Sequence, residues 1–130
     1  NELGELFVKA KEAANPELTG EERTKARLAP TRAPMIIVIV AHIQDDPKVP
    51  EIEQVLSVGA SVQNMLNAAY EMGLGAIWRT GDLAFNPEVA EGLGLSSNQR
   101  LLGFLYLGTP RVPFREPPVF DHGNHVRRWP

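Results

Sequence analysis

Met35-Ile36-Ile37-Val38-Ile39-Val40-Ala41 is an unbroken run of apolar, mostly β-branched side chains. Branching at Cβ suits the pleated surface of a strand and crowds a helix. A run without polar alternation is typical of a strand covered on both faces. It therefore predicts the central strand of a sheet wrapped by helices. Pro30 and Pro34 bracket a turn just before it, where the fixed proline φ and missing N–H stop any helix. A polar loop from Gln44 to Val49 comes after it.

Outward from that strand the periodicity changes. Upstream, Leu3, Leu6, Phe7, Ala10 and Ala14 form one apolar stripe at helical spacing, and Asn15-Pro16 ends it. Thr19 and Glu22 have the spacing of a capping box, which predicts a second helix running towards Ala29. Downstream, Ile52, Val55, Leu56, Gly59, Val62, Met65, Leu66, Ala69 and Met72 keep the three-four spacing over 51–72. Gly73 suits a left-handed cap at the end of that helix, and Gly75 loosens the connection after it. The small residues Gly59, Ala60, Ala68 and Ala69 would let another helix approach closely. Ala76 to Thr80 reads as a short strand. Asn86-Pro87-Glu88 reads as an N-cap, a first-turn proline and an early acid, opening a short helix. Leu101 to Leu107 is a further apolar strand, closed by Gly108-Thr109-Pro110. The order α-α-β-α-β-α-β predicts an α/β domain of the layered α+β kind.

With 130 residues and 14.3 kDa, the chain carries one domain's worth of sequence. Its 43% hydrophobic and 22% charged residues are those of a globular chain. The net charge of −3 argues against nucleic acid or an anionic membrane as the main partner. Cysteine is absent, which excludes disulfides, thiolate nucleophiles and Cys-ligated metals. No apolar run reaches the length of a membrane span, and no signal-peptide pattern opens the chain, so a cytoplasmic location is expected. Charge is uneven: residues 33–110 carry −5, whereas 111–130 carry +2 and the prolines Pro110, Pro113, Pro117, Pro118 and Pro130 crowd the end. The expected organisation is a folded body over 1–110 and an extended C-terminal arm over 111–130.

The common catalytic groupings do not assemble. Ser57, Ser61, Ser96 and Ser97 lack the nucleophile elbow of a hydrolase, and no phosphate-binding P-loop occurs. Gly73-Leu74-Gly75 comes after a helix instead of opening one, which is the wrong context for a dinucleotide fingerprint. His122 and His125 have a metal-like spacing, but Gly123 and Asn124 between them disfavour the helix that would make both converge. His42 and the pair Asp45-Asp46 read as a strand-end imidazole and a solvated loop. No catalytic side chain and no metal ligand is therefore assigned. One segment remains, Gly73 to Asp82, where Trp78, Arg79, Thr80 and Gly81 stand together at a strand end. Strand ends in layered sheets offer free backbone groups to ligands. From spacing alone, Trp78 is equally well a core residue and Arg79 a surface one.

Arg32-Ala33-Pro34 leading into the aliphatic strand, Lys48-Val49-Pro50 and the helix with Ser57, Gly59 and Asn64 together resemble the nitroreductase family. Gly73 to Gly81 and Gly103 to Pro110 extend the likeness, which covers roughly residues 1–110 and is strongest for the short bacterial NAD(P)H nitroreductases. The resemblance implies FMN as cofactor, NAD(P)H as co-substrate and an intertwined homodimer with the flavin at its interface. It places Trp78, Arg79, Thr80 and Gly81 along the flavin ring, with backbone N–H groups near Thr80 and Gly81 donating to the ring nitrogen that accepts hydride. It makes helix 51–72 the dimer helix and lays the last strand and the arm against the partner. Members carry an upstream Arg-Arg-Ser-type segment for the flavin phosphate. Residues 1–130 match the part of the family's domain downstream of that segment, so the chain is expected to be the C-terminal two-thirds of such a domain. A phosphate needs charge-assisted donors, and Arg127 and Arg128 of the arm are the candidates here, against the plainer reading of a solvated pair, which is favoured.

Two functional readings result. The first is an FMN-dependent oxidoreductase passing hydride from NAD(P)H to a nitroaromatic, quinone or similar flat small-molecule electron acceptor. The alternative is a non-catalytic dimeric scaffold or binding module built on the same fold.

Overall fold

The computed structural model describes residues 2–116 and 118–129; Asn1 and the arm prolines Pro117 and Pro130 lie outside the described residues. The element order is α1 (Glu2–Ala14), α2 (Gly20–Leu28), β1 (Met35–His42), α3 (Glu51–Glu71), β2 (Gly75–Arg79), α4 (Pro87–Gly92) and β3 (Gln99–Gly108). Single 3₁₀ turns occupy Ala29–Arg32, Asp82–Ala84 and His122–Asn124. The mixed layered fold expected from the sequence is present.

Local signals act where they were read. Glu22 N–H donates to Thr19 Oγ1 over 3.3 Å, and Thr19 N–H donates to Glu22 Oε2 over 2.9 Å. That reciprocal pair is a complete capping box opening α2. Asn86 Oδ1 accepts from Glu88 N–H over 2.9 Å, and Pro87 occupies the first turn of α4. Gly73 has φ +71 at the end of α3, the left-handed conformation that only glycine adopts without cost.

The position of the aliphatic strand differs from the expectation. The sheet has the order β1-β3-β2, with β3 antiparallel to both neighbours. β3 is thus the central strand and β1 the edge. Along β1, Met35 is 59% exposed and Ile37 36%, whereas Ile39 and Ala41 are buried. The uninterrupted apolar run reports side chains that fit a strand; which strand sits in the middle is decided by pairing across the chain.

Each face of the sheet has its own cover. On one side Phe7, Val8 and Ala10 of α1, Ala26 of α2 and Val89 of α4 close over Leu101, Phe104 and Tyr106 of β3. Phe7 meets Phe104 edge-on, with ring centroids 5.2 Å apart and planes at 73°, a geometry favoured by the ring quadrupoles. On the other side α3 buries Val62 against Ile39 and Leu105, with Val58, Leu66, Ala76, Leu102 and Leu107 around them.

β3 carries one irregularity, close to the end of β2. Ile39 pairs with Gly103 and Val40 with Leu101, so Leu102 is an extra residue in the ladder. This β-bulge lets Leu101 and Phe104 share one face although they are an odd number of residues apart. Gly103 within it has φ +127.

Candidate functional site

The site is built where β2 ends. Strand alternation sends Trp78 and Arg79 to opposite faces. The Trp78 indole lies on the α3 side. A Cβ placed on Gly59 would be 3.8 Å from the far edge of that ring, so the small residue in α3 gives the indole its seat. The indole Nε1–H donates to the carbonyl of Leu102 over 3.1 Å, and the residue remains 36% exposed. The ring is therefore clamped by a hydrogen bond at one edge while much of it stays open to a ligand.

Gly103 makes that clamp possible. A Cβ there would lie 2.5 Å from the Arg79 carbonyl oxygen and 2.7 Å from the Trp78 indole nitrogen. The bulge thus brings the end of β2 against β3 at a distance that only glycine allows. Gly103 was not among the site residues expected from the sequence; a glycine inside an apolar strand is the signal for such an approach.

Thr80 and Gly81 come directly after the last paired residue, Arg79. Gly81 has φ +96 and ψ −171, a backbone conformation open only to glycine. Its carbonyl accepts from Ala84 N–H over 2.9 Å and so starts the 3₁₀ turn at Asp82–Ala84. Among the described turn and loop hydrogen bonds, neither the Thr80 nor the Gly81 amide is a donor, and both residues are exposed. Two backbone N–H groups are therefore presented together at a strand end, beside a fixed indole. That is a donor pair for an acceptor atom of a planar ligand.

Arg79 points to the helical side. It lines a cleft of about 680 Å³ between the Thr31–Pro34 turn and the end of β3, and a smaller neighbouring one of about 340 Å³ under α1 and α2. Both clefts also share Arg32 and Tyr106. Tyr106 is 7% exposed, and burial raises its phenol above the usual tyrosine range while the guanidiniums of Arg79 and Arg32 oppose the rise. Arg32 and Tyr106 were not expected as site residues. The register Ile77↔Tyr106 and Arg79↔Phe104 brings Tyr106 beside Arg79, and the pairing Met35↔Leu107 of β1 with β3 brings the turn that carries Arg32; both join distant parts of the chain.

The other sequence candidates lie elsewhere. Arg127 and Arg128 are exposed and line neither cleft beside Arg79; of the arm cations only Arg111 does. The arm does touch the body, through Phe114 packed on Tyr70 of α3 at 5.0 Å between ring centroids. His42 Nε2 is 2.8 Å from Asn98 Nδ2 at the opposite end of the sheet. His122 stands in the short turn that Asp121 caps by accepting from Gly123 N–H over 3.0 Å. No helix among the described residues is long and apolar enough to cross a membrane. The small residues of α3 do not share one surface: Gly59 receives Trp78, Ala69 is buried, and Ala60 and Ala68 are exposed.

Comparison with known proteins agrees with this architecture. "Putative NAD(P)H nitroreductase YdjA" of Escherichia coli K12 is 48% identical over 88 residues, spanning 68% of this chain and 48% of the relative. A "Putative NAD(P)H nitroreductase" of Haemophilus influenzae is 35% identical over 94 residues, 69% of this chain and 50% of the relative. The chain thus spans about half the length of these curated relatives. Among solved structures, a nitroreductase-like family protein from Bacillus cereus superposes with a TM-score of 0.74 at 26% identity, covering 97% of this chain and 65% of that one. A Bacteroides fragilis nitroreductase with bound FMN shares the fold at a TM-score of 0.59 and 21% identity, over 92% of this chain and 66% of its own. The model of the nitroreductase family matches residues 2–109, and the chain belongs to that family.

Proposed function

We propose that the chain is the ring-binding part of an FMN-dependent oxidoreductase that takes electrons from NAD(P)H and passes them to a nitroaromatic, quinone or similar flat acceptor. The observation that carries this reading is the end of β2, where the free amides of Thr80 and Gly81 stand beside the clamped indole of Trp78. When bound, FMN supplies the hydride chemistry, which no side chain in the site can perform. The protein's part is positional. Trp78 would offer an apolar surface held at one angle by the Leu102 carbonyl, and the Thr80 and Gly81 amides would donate to a ring nitrogen, lowering the cost of negative charge there. Because these donors belong to a strand end braced by β3, they need no rearrangement to act.

The reading includes a homodimer. α3 carries Ile52, Leu56 and Tyr70 exposed along one side, between 56% and 63%, and an apolar row of this kind on a 21-residue helix suits a partner helix. The arm, anchored by Phe114 on Tyr70, would continue that interface. The names of the relatives, and the FMN in the Bacteroides fragilis structure, support the cofactor assignment.

The test is reconstitution of the complete protein with FMN. Retained visible flavin absorbance after gel filtration, and NAD(P)H-dependent bleaching of it, are the expected results. A complete protein that elutes colourless after incubation with excess FMN would exclude the oxidoreductase and leave the non-catalytic scaffold.

A further inference from the structure

The two clefts beside Arg79 have a charge pattern unlike the rest of the molecule. Their walls hold Lys11, Lys25, Arg32, Arg79 and Arg111 and not one Asp or Glu, in a chain whose net charge is −3. Outside the C-terminal arm the other guanidiniums are paired: Arg23 with Glu12, Arg27 with Glu5, Arg100 with Glu51. Among the described residues Arg32 and Arg79 have no carboxylate within ion-pair distance. Lys25 at the rim is paired with Glu21, but the two guanidiniums are not; like charges facing one partly apolar cleft repel one another, and an anion seated between them relieves that cost.

A second feature points the same way. Tyr106, shared by both clefts, is more than nine-tenths buried as a residue, but its hydroxyl is not enclosed, since no buried side-chain oxygen among the described residues lacks a partner; the phenol's polar end opens into the cleft. Arg79 and Arg32 are the two charges close enough to influence it. Its pKa lies above the ordinary tyrosine value, so at neutral pH the hydroxyl is a proton donor.

We propose that this cleft is a phosphate site, with Arg32 and Arg79 as charged donors and the Tyr106 hydroxyl as the neutral one. Planar guanidinium forks match the oxygens of a phosphate group better than an ammonium does. The site lies on the face of the sheet opposite the Trp78 indole, one residue away from the Thr80 amide. The phosphate can therefore be the tail of the flavin proposed above or belong to a separate phosphate-bearing ligand. The site itself does not depend on the flavin reading, because its first test contains no flavin.

Inorganic phosphate is titrated into the 130-residue chain by calorimetry, with chloride at matched ionic strength as the blank. Saturable binding is expected, weakened about tenfold or more in Arg32→Gln and by a smaller factor in Tyr106→Phe. Arg115→Gln, in the arm, is expected to bind as the parent does. Thermal melts of each variant separate lost binding from lost folding, and Tyr106→Phe, which keeps the ring, retains a test if an arginine variant unfolds. FMN and riboflavin are then compared on the complete protein. If the flavin tail is the source, FMN binds more tightly than riboflavin, Arg32→Gln removes the difference, and phosphate competes with FMN. If the ligand is separate, phosphate binds equally to flavin-loaded protein. Failure of the flavin reading alone shows as phosphate binding without flavin binding. Heat that only tracks ionic strength, or equal phosphate affinity in the parent and Arg32→Gln, overturns the proposal.

Discussion

The two faces of the sheet are covered to different depths. Beneath α1, α2 and α4 nine buried residues form a continuous core, and Phe7 is 1% exposed within it. Beneath α3 the buried cluster is just Ile39, Val62 and Leu105, with Ala69 the other buried residue of the helix, while Ile52 and Leu56 on the same helix are more than 60% exposed. A helix with apolar residues on two sides cannot bury both against one flat sheet. The first face holds most of the buried core and serves stability; the second leaves an apolar row free, consistent with the proposed assembly.

Substitutions on the two faces should therefore fail in different ways. The largest effect is expected on the finished face. Phe7→Ala removes a fully buried ring and its edge contact with Phe104, and should cost about 3–5 kcal/mol in urea unfolding. A loss below about 1 kcal/mol would mean that this face is less packed than described. Next comes the bulge that joins β2 to β3. Gly103→Ala forces a side chain into φ +127 against the Arg79 carbonyl and the Trp78 indole, and should destabilise by about 1–3 kcal/mol. It should also shift the tryptophan emission, because the indole must leave the Leu102 carbonyl.

On the α3 face the expected stability change is small and the assembly change large. Leu56→Glu alters a residue 63% exposed and should move the stability of the isolated chain by only about 0.5 kcal/mol. Sedimentation should nonetheless find the complete protein shifted from dimer to monomer. An unaltered dimer would break the proposed role of α3.

The smallest effects lie at two exposed carboxylates. Glu5 is held below the usual carboxylate range by hydrogen bonding to Arg27, and Glu22 by the Thr19 amide. A carboxylate whose folded pKa is depressed stabilises the fold above its unfolded pKa of about 4.3, and that contribution is lost as pH falls through the lower folded value. Melting midpoints should therefore decline below about pH 4 and do so less in Glu22→Gln, in which that linkage is absent.

Legibility in the sequence tracked the range of the interaction. The capping box at Thr19, the glycine cap at Gly73 and the start of α4 at Asn86 rest on residues within a few positions of each other, and the chain spells them out. The family, too, was readable from the motifs around Trp78 and Gly103. The edge position of β1 was not, because an apolar run says that side chains are covered and not which strand stands beside them. The opposition of Trp78 and Arg79 stems from strand alternation. The meeting of Arg79 with Arg32 and Tyr106 does not, since it depends on the registers of both β1 and β2 against β3. The bulge at Leu102–Gly103 is invisible for the same reason, although Gly103 marked the place.

The claim that the end of β2 grips a flavin ring is tested most directly by the backbone amides themselves. FMN titrated into the isotopically labelled complete protein should move the Thr80 and Gly81 amide resonances, together with the Trp78 indole N–H, along one saturable curve. If those three signals stay in place while FMN binds, the ring lies elsewhere and the account of this site is wrong.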